Sequence, residues 1–239
     1  MSALQTIAFQ NLDFVTPAAE VAPFSLGDVS GLTVGLPPRQ AAVKRVTDVA
    51  LASLALLLLG VPMVVVAAVM WLQGDGPALF RQQRIGLHNR PFTMLKFRTM
   101  RAGAADAAGM CRQATRDDPR VTRLGRFLRR TSFDELPQLL NVLSGEMSLV
   151  GPRPHAPGTC AAGRPFETIT DRYAQRHCVK PGMTGLAQVR GWRGETDTVE
   201  KLLHRVDSDL EYIAMWSLRR DLAIIVRTAV TVLLMRNAY

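Results

Sequence analysis

The sequence predicts a mainly helical α+β fold in which a membrane-associated helix precedes a small mixed domain. Residues 49–72 form a long apolar run without a charged residue. Two short segments between residues 79 and 98 have the composition of paired strands, and several stretches after residue 120 have helical spacing of apolar side chains. These three observations place one helix against a membrane and the rest of the fold outside it.

Composition limits the classes of protein and of partner. The chain has 239 residues, of which 48% are hydrophobic, and its net charge is +9. An extended disordered chain is excluded by this hydrophobicity. The three cysteines form no metal-ligand or disulfide pattern, which favours a reducing compartment. The positive excess predicts an anionic partner: nucleic acid, phospholipid headgroups or a phosphorylated substrate.

The apolar run is long enough to span a hydrocarbon core, but two details favour a segment that enters the membrane and returns. Pro62 lies near its middle, where a proline removes a helical hydrogen bond and kinks the helix. Both flanks are basic, which places both ends on the cytoplasmic side. A single span with a proline kink explains the run equally well, since spanning helices tolerate prolines. Residues 1–38 are predicted to be a poorly ordered tail.

The strands, loops and helices of the second part follow from local signals. Residues 79–85 and 92–98 flank a turn and predict a β-hairpin. Residues 102–109 are small and predict a mobile loop, and residues 120–143 predict a helix broken at Thr131-Ser132. The Pro and Gly density of residues 151–154 and 180–185 predicts loops without regular ladders. A capping box at Asp197-x-x-Glu200 opens a helix to about residue 216, and a last helix covers residues 218–235.

Four arginines recur at helical spacing between residues 120 and 130, with apolar residues between them. This pattern suits an amphipathic helix at an anionic membrane surface or beside a phosphate, and a solvated helix face has the same pattern. Nucleic acid is disfavoured as the partner, because the chain has few aromatic residues and no recognition motif.

The most informative stretch contains the carboxylate pair Asp134 and Glu135. Pro137 fits the first turn of a helix that begins around Asp134, which places both acids at the positive end of the helix, beside two arginines. Such a pair suits binding of Mg²⁺ and a diphosphate, or attack by a carboxylate. A capping box at Ser132-x-x-Glu135 is the structural alternative. Arg153 between two prolines and Lys180 beside a turn add phosphate-binding elements.

The chain resembles the bacterial sugar transferases, the monotopic polyprenyl-phosphate phosphoglycosyl transferases. The resemblance covers residue 40 to the C-terminus in family order. Its motifs are Lys44-Arg-x-x-Asp48, the apolar run with Pro62, Asp75-Gly-Pro77, Gln83-Arg-Ile-Gly86, Lys96-Phe-Arg98, Thr131-Ser-Phe-Asp-Glu-Leu-Pro-Gln138, Gly151-Pro-Arg-Pro154 and Lys180-Pro-Gly-Met-Thr-Gly-Leu-Ala-Gln-Val189. The stretch from Gln188 to Thr198 is similar to the undecaprenyl-phosphate glucose phosphotransferases, although Phe133 stands where the family usually has leucine.

The resemblance implies a re-entrant membrane helix over residues 39–73 with its break at Pro62, and a cytosolic membrane-associated catalytic domain over residues 74–239 with a short β-hairpin and interfacial amphipathic helices. It implies an enzyme of the cytoplasmic membrane of bacteria that transfers a sugar 1-phosphate, glucose 1-phosphate foremost, from a UDP-sugar to undecaprenyl phosphate and releases UMP. Asp134 is the implied nucleophile and Mg²⁺ ligand, and Glu135 is its catalytic partner. The expected substrate-binding residues are Lys96, Arg98, Arg130, Arg153, Lys180 and Arg190.

Three alternatives stay open. The transferred sugar could be galactose or an N-acetylated sugar, and the sequence leaves homo-oligomerisation open. A non-enzymatic basic membrane anchor would also fit the composition, but it makes no use of the Asp-Glu-Leu-Pro motif.

Overall fold

The computed structural model describes residues 35–74, 76–101 and 118–233. The predicted tail and the predicted loop at residues 102–109 lie outside these ranges, except for residues 35–38. The helices are α1 (Pro38–Leu72), α2 (Arg123–Arg130), α3 (Gln138–Ser144), α4 (Phe166–Ile169), α5 (Leu186–Val189), α6 (Val199–Ala214) and α7 (Leu218–Leu233). The strands are β1 (Leu79–Ile85), β2 (Pro91–Phe97), β3 (Ser148–Val150), β4 (Cys160–Ala161), β5 (Arg164–Pro165) and β6 (Gly182–Thr184).

Helix α1 is long and apolar enough to cross a membrane. It continues without interruption through Pro62, so the predicted break there is absent from the helix. A proline inside a helix removes a single backbone donor and bends the axis, and the turns on both sides keep their hydrogen bonds. Leu57, Val61 and Val64 are among its strongly exposed side chains. The helix therefore presents a wide apolar surface that the rest of the described residues leave uncovered.

The first turns of α1 are fastened to the domain by polar contacts. Lys44 donates to Asp221 of α7 at 2.7 Å, and Asp48 accepts from the Ser148 hydroxyl and from the Leu149 amide. The Arg45 guanidinium donates to two carbonyl oxygens at the end of α3. These buried contacts fix the start of the apolar helix relative to α3, β3 and α7.

The rest of α1 packs along the same domain through small and apolar side chains. Ala52 lies in a core cluster with Phe92 and Met94 of the hairpin and with Leu139 and Val142 of α3. Further along, Met70 packs with Phe97 and Leu128, and Met63, Val66 and Ala67 adjoin this second cluster. Both ends of the helix thus contact one folded domain.

The hairpin confirms the sequence prediction. Strands β1 and β2 are antiparallel, with Leu79 opposite Phe97 and Ile85 opposite Pro91. Lys96 lies opposite Phe80, and Arg84 follows Phe80 by four residues on β1. Opposite residues share a face and every second residue of a strand points to the same face, so Lys96 and Arg84 point to the same side of the hairpin. The predicted break at residues 131–132 is also present, because Ser132 has a φ of 57° and ends the helical path after α2.

The loop predicted over residues 180–185 is wrong in part, because β6 pairs in parallel with β3. The pair contains three residues on each strand, and Pro181 contributes its carbonyl oxygen to the Ser148 amide. A Cβ at Gly182 would lie 2.1 Å from the Gly151 nitrogen. The glycines therefore permit a backbone approach that the sequence suggested they would prevent.

Helices α6 and α7 carry the largest apolar core. Leu202, Val206 and Leu210 of α6 and Ile224 of α7 are fully or almost fully buried in it. The predicted helix after residue 197 is confirmed, but its cap is Thr198, whose side chain accepts from the Lys201 amide. Together with the long helix and small hairpins, this core confirms a mainly helical α+β fold.

Candidate active site

A cavity of about 1070 Å³ opens between the hairpin, the turn after α2 and the start of α6. Five of the predicted site residues line it: Lys96, Arg98, Asp134, Glu135 and Arg153. They come from three separate parts of the chain, and the fold brings them together at one wall. The cavity is large enough for a ligand the size of a nucleotide sugar.

Asp134 lies in the short 3₁₀ turn Phe133–Glu135 that connects α2 to α3. Pro137 stands directly before α3, so that helix begins three residues later than Glu135. The turn is fixed below by Phe133, which stacks against Phe97 with ring centroids 6.5 Å apart. The alternative of a capping box fails, because Ser132 makes no capping bond and its hydroxyl accepts from Arg193. The carboxylates are therefore free of a helix-capping role.

Glu135 is the centre of a buried ion-pair network. Its carboxylate accepts from Lys96 Nζ at 2.9 Å and from two nitrogens of Arg153 at 2.5 and 3.3 Å. Burial alone would raise the pKa of Glu135, but Arg153 and Lys96 outweigh it and hold that pKa well below its ordinary value. Glu135 is consequently ionised throughout the physiological pH range and fixes two cations at the cavity wall.

Asp134 has the opposite electrostatic setting. Burial and the adjacent charge of Glu135 raise its pKa above the ordinary value, while Lys96, Arg129 and Arg153 act in the other direction. The side chain is buried, with 8% of the residue exposed, yet it faces the cavity. A desolvated carboxylate beside a cationic wall is a strong nucleophile toward phosphorus and a good cation ligand.

Arginines that the sequence analysis did not select extend the cationic wall. Arg84 donates to the Pro154 carbonyl and to Gln82, and burial and the nearby Arg153 lower its pKa to about 10. Arg129 donates to the Thr99 hydroxyl at 2.8 Å. The alternation of the hairpin could have indicated Arg84, since it shares a face with Lys96.

Three predicted substrate-binding residues lie outside the residues that line the cavity. Arg130 is exposed at the end of α2, and its neighbour Arg129 faces inward in its place. Lys180 lies near Gly145 and Arg45 beside the start of α1. Arg190 is buried and forms two hydrogen bonds to Glu211. Spacing alone could not separate Arg129 from Arg130, because Ser132 redirects the chain directly after them.

A group of buried side chains behind the cationic wall holds Arg153 in position. Arg176 donates to Asp209 through two nitrogens, to the Tyr173 hydroxyl and to the carbonyl of Arg153. The His155 ring lies edge-to-face with the Tyr173 ring, and burial, with a smaller contribution from Arg176, lowers the pKa of His155 to about 3. His155 is therefore neutral, and the group holds Arg153 in place without adding a titrating group near neutral pH.

The acids present fit a magnesium ion that is shared with a substrate. Among the described residues, no cluster of three or more His, Cys, Asp or Glu could hold a metal ion alone. Mg²⁺ commonly takes only one or two protein carboxylates and completes its shell with phosphate and water. Asp134 suits that kind of site, because its carboxylate forms no hydrogen bond with the described residues. The Glu135 carboxylate is already paired with Lys96 and Arg153.

Comparisons with known proteins show the family of the chain. The pattern that defines the family "Bacterial sugar transferase" matches residues 39–235. A protein of Caulobacter vibrioides named "UDP-glucose:undecaprenyl-phosphate glucose-1-phosphate transferase" is 51% identical over 198 residues, which cover 82% of this chain and 72% of that protein. A protein of the same name from Escherichia coli is 47% identical over 197 residues, 82% of this chain and 41% of its own length.

A more distant relative carries a different sugar in its name. The "Galactosyl transferase CpsE" of Streptococcus agalactiae is 39% identical over 201 residues, which cover 80% of this chain and 42% of the relative. The chain thus spans about two fifths of the Escherichia coli and Streptococcus proteins and most of the Caulobacter protein.

Proposed function

Because the chain belongs to the bacterial sugar transferase family, we propose that it transfers glucose 1-phosphate from UDP-glucose to undecaprenyl phosphate and releases UMP. The observation that carries this proposal is a buried Asp134 beside a wall of fixed cations in a cavity of nucleotide-sugar size. The names of the relatives support glucose as the sugar. The product would begin the synthesis of an exopolysaccharide or another surface glycan.

The cavity suggests a two-step reaction. A carboxylate oxygen of Asp134 attacks the phosphorus that bears the sugar, the bond between the two phosphates breaks, and UMP leaves with the electron pair. An oxygen of undecaprenyl phosphate then attacks the aspartyl phosphate, which restores the Asp134 carboxylate and forms the lipid diphosphate sugar. Lys96 and Arg153, held by Glu135, are placed to bind the phosphate oxygens. Mg²⁺, when bound with Asp134 and the diphosphate, would neutralise charge on the phosphates.

Release of UMP tests the proposal directly. The purified protein is reconstituted with undecaprenyl phosphate and Mg²⁺, and UDP-glucose, UDP-galactose and UDP-N-acetylglucosamine are compared as donors. We expect UDP-glucose to give the highest rate. A preference for UDP-galactose would support the second candidate, which the name of the Streptococcus relative favours. No release with any donor would support the non-enzymatic anchor.

A covalent intermediate is expected when the lipid acceptor is left out. UDP-glucose labelled in the sugar should then transfer a sugar phosphate to the protein, in an amount no greater than that of active sites, because the first step needs no acceptor. Mass spectrometry of peptides should place the added mass on Asp134. Addition of undecaprenyl phosphate should remove it. A labelled peptide that lacks Asp134, or intersecting double-reciprocal plots without any label, would contradict the two-step reaction.

The rate should fall on acidification at a pH above the ordinary range of an aspartate. Attack requires the anionic form, and burial together with the charge of Glu135 raises the pKa of Asp134, so protonation begins at a higher pH than the ~3.9 of a free aspartate. The pKa is measured from the fall of kcat/KM on the acid side of a pH profile recorded between about pH 4 and 8, in steps of about half a pH unit. In the residual activity of Glu135→Gln the limb should move to lower pH, because one negative neighbour is gone. An unmoved limb would assign it to another group.

The contacts of α1 support a topology in which both of its ends stay on one side of the membrane. A helix of this length reaches about 50 Å, more than the hydrocarbon core of about 30 Å. If α1 stood upright in the membrane, the domain residues that pack on Met70 would lie within or beyond the lipid, together with the neighbouring arginines of the cavity. A helix that lies at a shallow angle, with both ends on the cytoplasmic side, avoids burying those charges in the membrane. The exposed side chains Arg123, Arg126, Phe127 and Arg130 support a position of α2 at the same interface.

Thiol labelling tests this topology. In a background without the native cysteines, a cysteine at Ser2 should be shielded from a membrane-impermeant reagent in intact cells, because residues before α1 stay inside. It should become more accessible in Pro62→Leu, since an unbent apolar helix crosses more readily. A cysteine at Asp171, which is exposed on the domain, serves as the internal control. Strong labelling at Ser2 with Pro62 present would instead indicate an ordinary single span.

A further inference from the structure

The loop that follows Arg190 forms a second wall of the cavity that the reaction described above does not use. Trp192, Arg193, Glu195 and Thr196 all line the cavity. Arg193 donates to the Ser132 hydroxyl at 2.7 Å, which ties this loop to the chain two residues before Asp134. Whatever part of a substrate lies beside this loop therefore lies close to the reacting carboxylate.

The loop is fixed on both sides of Glu195. Arg205 of α6 donates to the carbonyl of Gly194 at 2.7 Å and to the hydroxyl of Thr196. Trp192 stacks flat on His204 of the same helix, with ring centroids 4.4 Å apart and planes inclined by 5°. The backbone around Glu195 is thus held in place, while its own carboxylate has no hydrogen bond or ion pair to the described residues.

The charge of Glu195 is unexpected in this cavity. Among the residues that the structure describes, eleven Lys and Arg side chains line it, as expected for a site that binds a diphosphate, but so do four acids. Asp209 is paired with Arg176, Glu135 is paired with Lys96 and Arg153, and Asp134 is the proposed nucleophile. Glu195 alone has neither a pairing nor a role. An unpaired carboxylate would weaken phosphate binding, so the ligand group beside it is one that donates hydrogen bonds.

The hydroxyls of a sugar are such donors, since an ionised carboxylate only accepts and can serve two neighbouring hydroxyls at once. A UDP-sugar contains two hydroxylated rings, the ribose and the hexose. The hexose is bonded to the phosphorus that Asp134 attacks, and the loop is tied to the segment of Asp134, so the position favours the hexose. Trp192 adds a flat apolar surface of the kind that packs against a sugar ring.

We propose that Glu195 binds hydroxyl groups of the donor hexose and, with Trp192, selects which sugar is transferred. This inference rests on the proposed function and assigns to that site the part that discriminates between sugars. Hydrogen bonds from substrate hydroxyls to a charged acceptor are among the contacts that discriminate most strongly, because a substrate without the hydroxyl leaves the charge unpaired.

The test compares Glu195→Gln with wild-type protein and with Asp171→Asn, which changes an exposed acid outside the residues that line the cavity. We expect kcat/KM for UDP-glucose to fall by about 10-fold to 100-fold in Glu195→Gln. Inhibition by UMP, which lacks the hexose, should stay within about 2-fold. With UDP-deoxyglucoses as donors, the effect of Glu195→Gln should largely vanish for the sugar that lacks the bound hydroxyl.

Three results would overturn the assignment. Unchanged kcat/KM would exclude any contact, weaker UMP inhibition to the same degree would move the contact to the ribose, and a changed Mg²⁺ requirement would make Glu195 a metal ligand. Calorimetric binding of UDP-glucose and UMP in an Asp134→Asn background gives the same comparison without turnover. Wild-type protein that binds UDP-glucose but releases no UMP would contradict the proposed reaction, whereas normal turnover by Glu195→Gln contradicts only the sugar contact.

Discussion

Replacement of Asp134 by asparagine is expected to lower UMP release at least about 10³-fold, because a neutral amide has no anionic oxygen to attack phosphorus. The substitution keeps the shape of a side chain that is buried in the turn after α2, so the fold should survive. The Asp134 carboxylate forms no ion pair with the described residues, so its removal leaves no cation without a partner. The measurement is single-turnover UMP release with UDP-glucose, undecaprenyl phosphate and Mg²⁺.

The comparison with Glu135→Gln separates the roles of the two acids. Glutamine cannot balance Lys96 and Arg153, so we expect a loss of turnover together with weaker UMP binding and lower stability. Asp134→Asn should retain UMP binding, since the cation wall remains fixed. Asp171→Asn is the matched control for removal of an exposed charge. Near-normal turnover by Asp134→Asn would refute the carboxylate nucleophile.

Replacement of Asp221 by alanine is expected to destabilise the folded protein by about 3–5 kcal/mol, the cost of leaving a buried cation without its partner. Its carboxylate accepts from Lys44 at 2.7 Å, from the Tyr212 hydroxyl at 2.7 Å and from the Trp216 ring at 3.1 Å. Loss of this acceptor detaches the start of α1 from α7. The midpoint of thermal unfolding in detergent should fall by about 10 °C.

A double variant identifies the cause of that loss. If the unpaired Lys44 charge is responsible, Lys44→Met with Asp221→Leu should recover part of the stability that Asp221→Ala loses, because neither of these two charges then remains buried. Asp48 keeps its hydrogen bonds from Ser148 and Leu149 in that variant. Asp171→Asn should shift the midpoint by no more than about 1 °C. A small effect of Asp221→Ala would mean that Asp48, 3.9 Å from Lys44, already balances that charge.

The sequence predicted those features that depend on local patterns. Two strand-like segments on either side of a turn identified the hairpin, and the break predicted at Thr131-Ser132 lies directly before the turn of Asp134. The carboxylate pair and Lys96, Arg98 and Arg153 were selected on motifs alone, and the fold places all of them at one cavity.

Features that depend on distant parts of the chain could not be predicted. The parallel pairing of β3 with β6 needs glycines that tolerate close backbone contact, and those glycines were interpreted as signs of a loop. Arg190 has the charge expected of a phosphate ligand, but in the fold its guanidinium is paired with Glu211 of α6. Glu195 lies in the stretch from Gln188 to Thr198 that carries part of the family resemblance, but the sequence assigns it no site role. Its significance depends on Glu135 and Asp209 being paired with cations from other parts of the chain.

The short parallel pair of β3 and β6 also affects how this fold can diversify. The strands join the two ends of the chain segment from Gly151 to Pro181, so that this segment leaves and returns at one point. Arg153, His155 and Arg176 all belong to it and form one side of the cavity. Because the β3–β6 pair holds both ends of this segment together, residues within the segment can be inserted, deleted or exchanged while the turn that holds Asp134 keeps its position. Changes between residues 156 and 172 therefore put the position of the nucleophile at little risk, whereas Arg153 must keep its ion pair with Glu135.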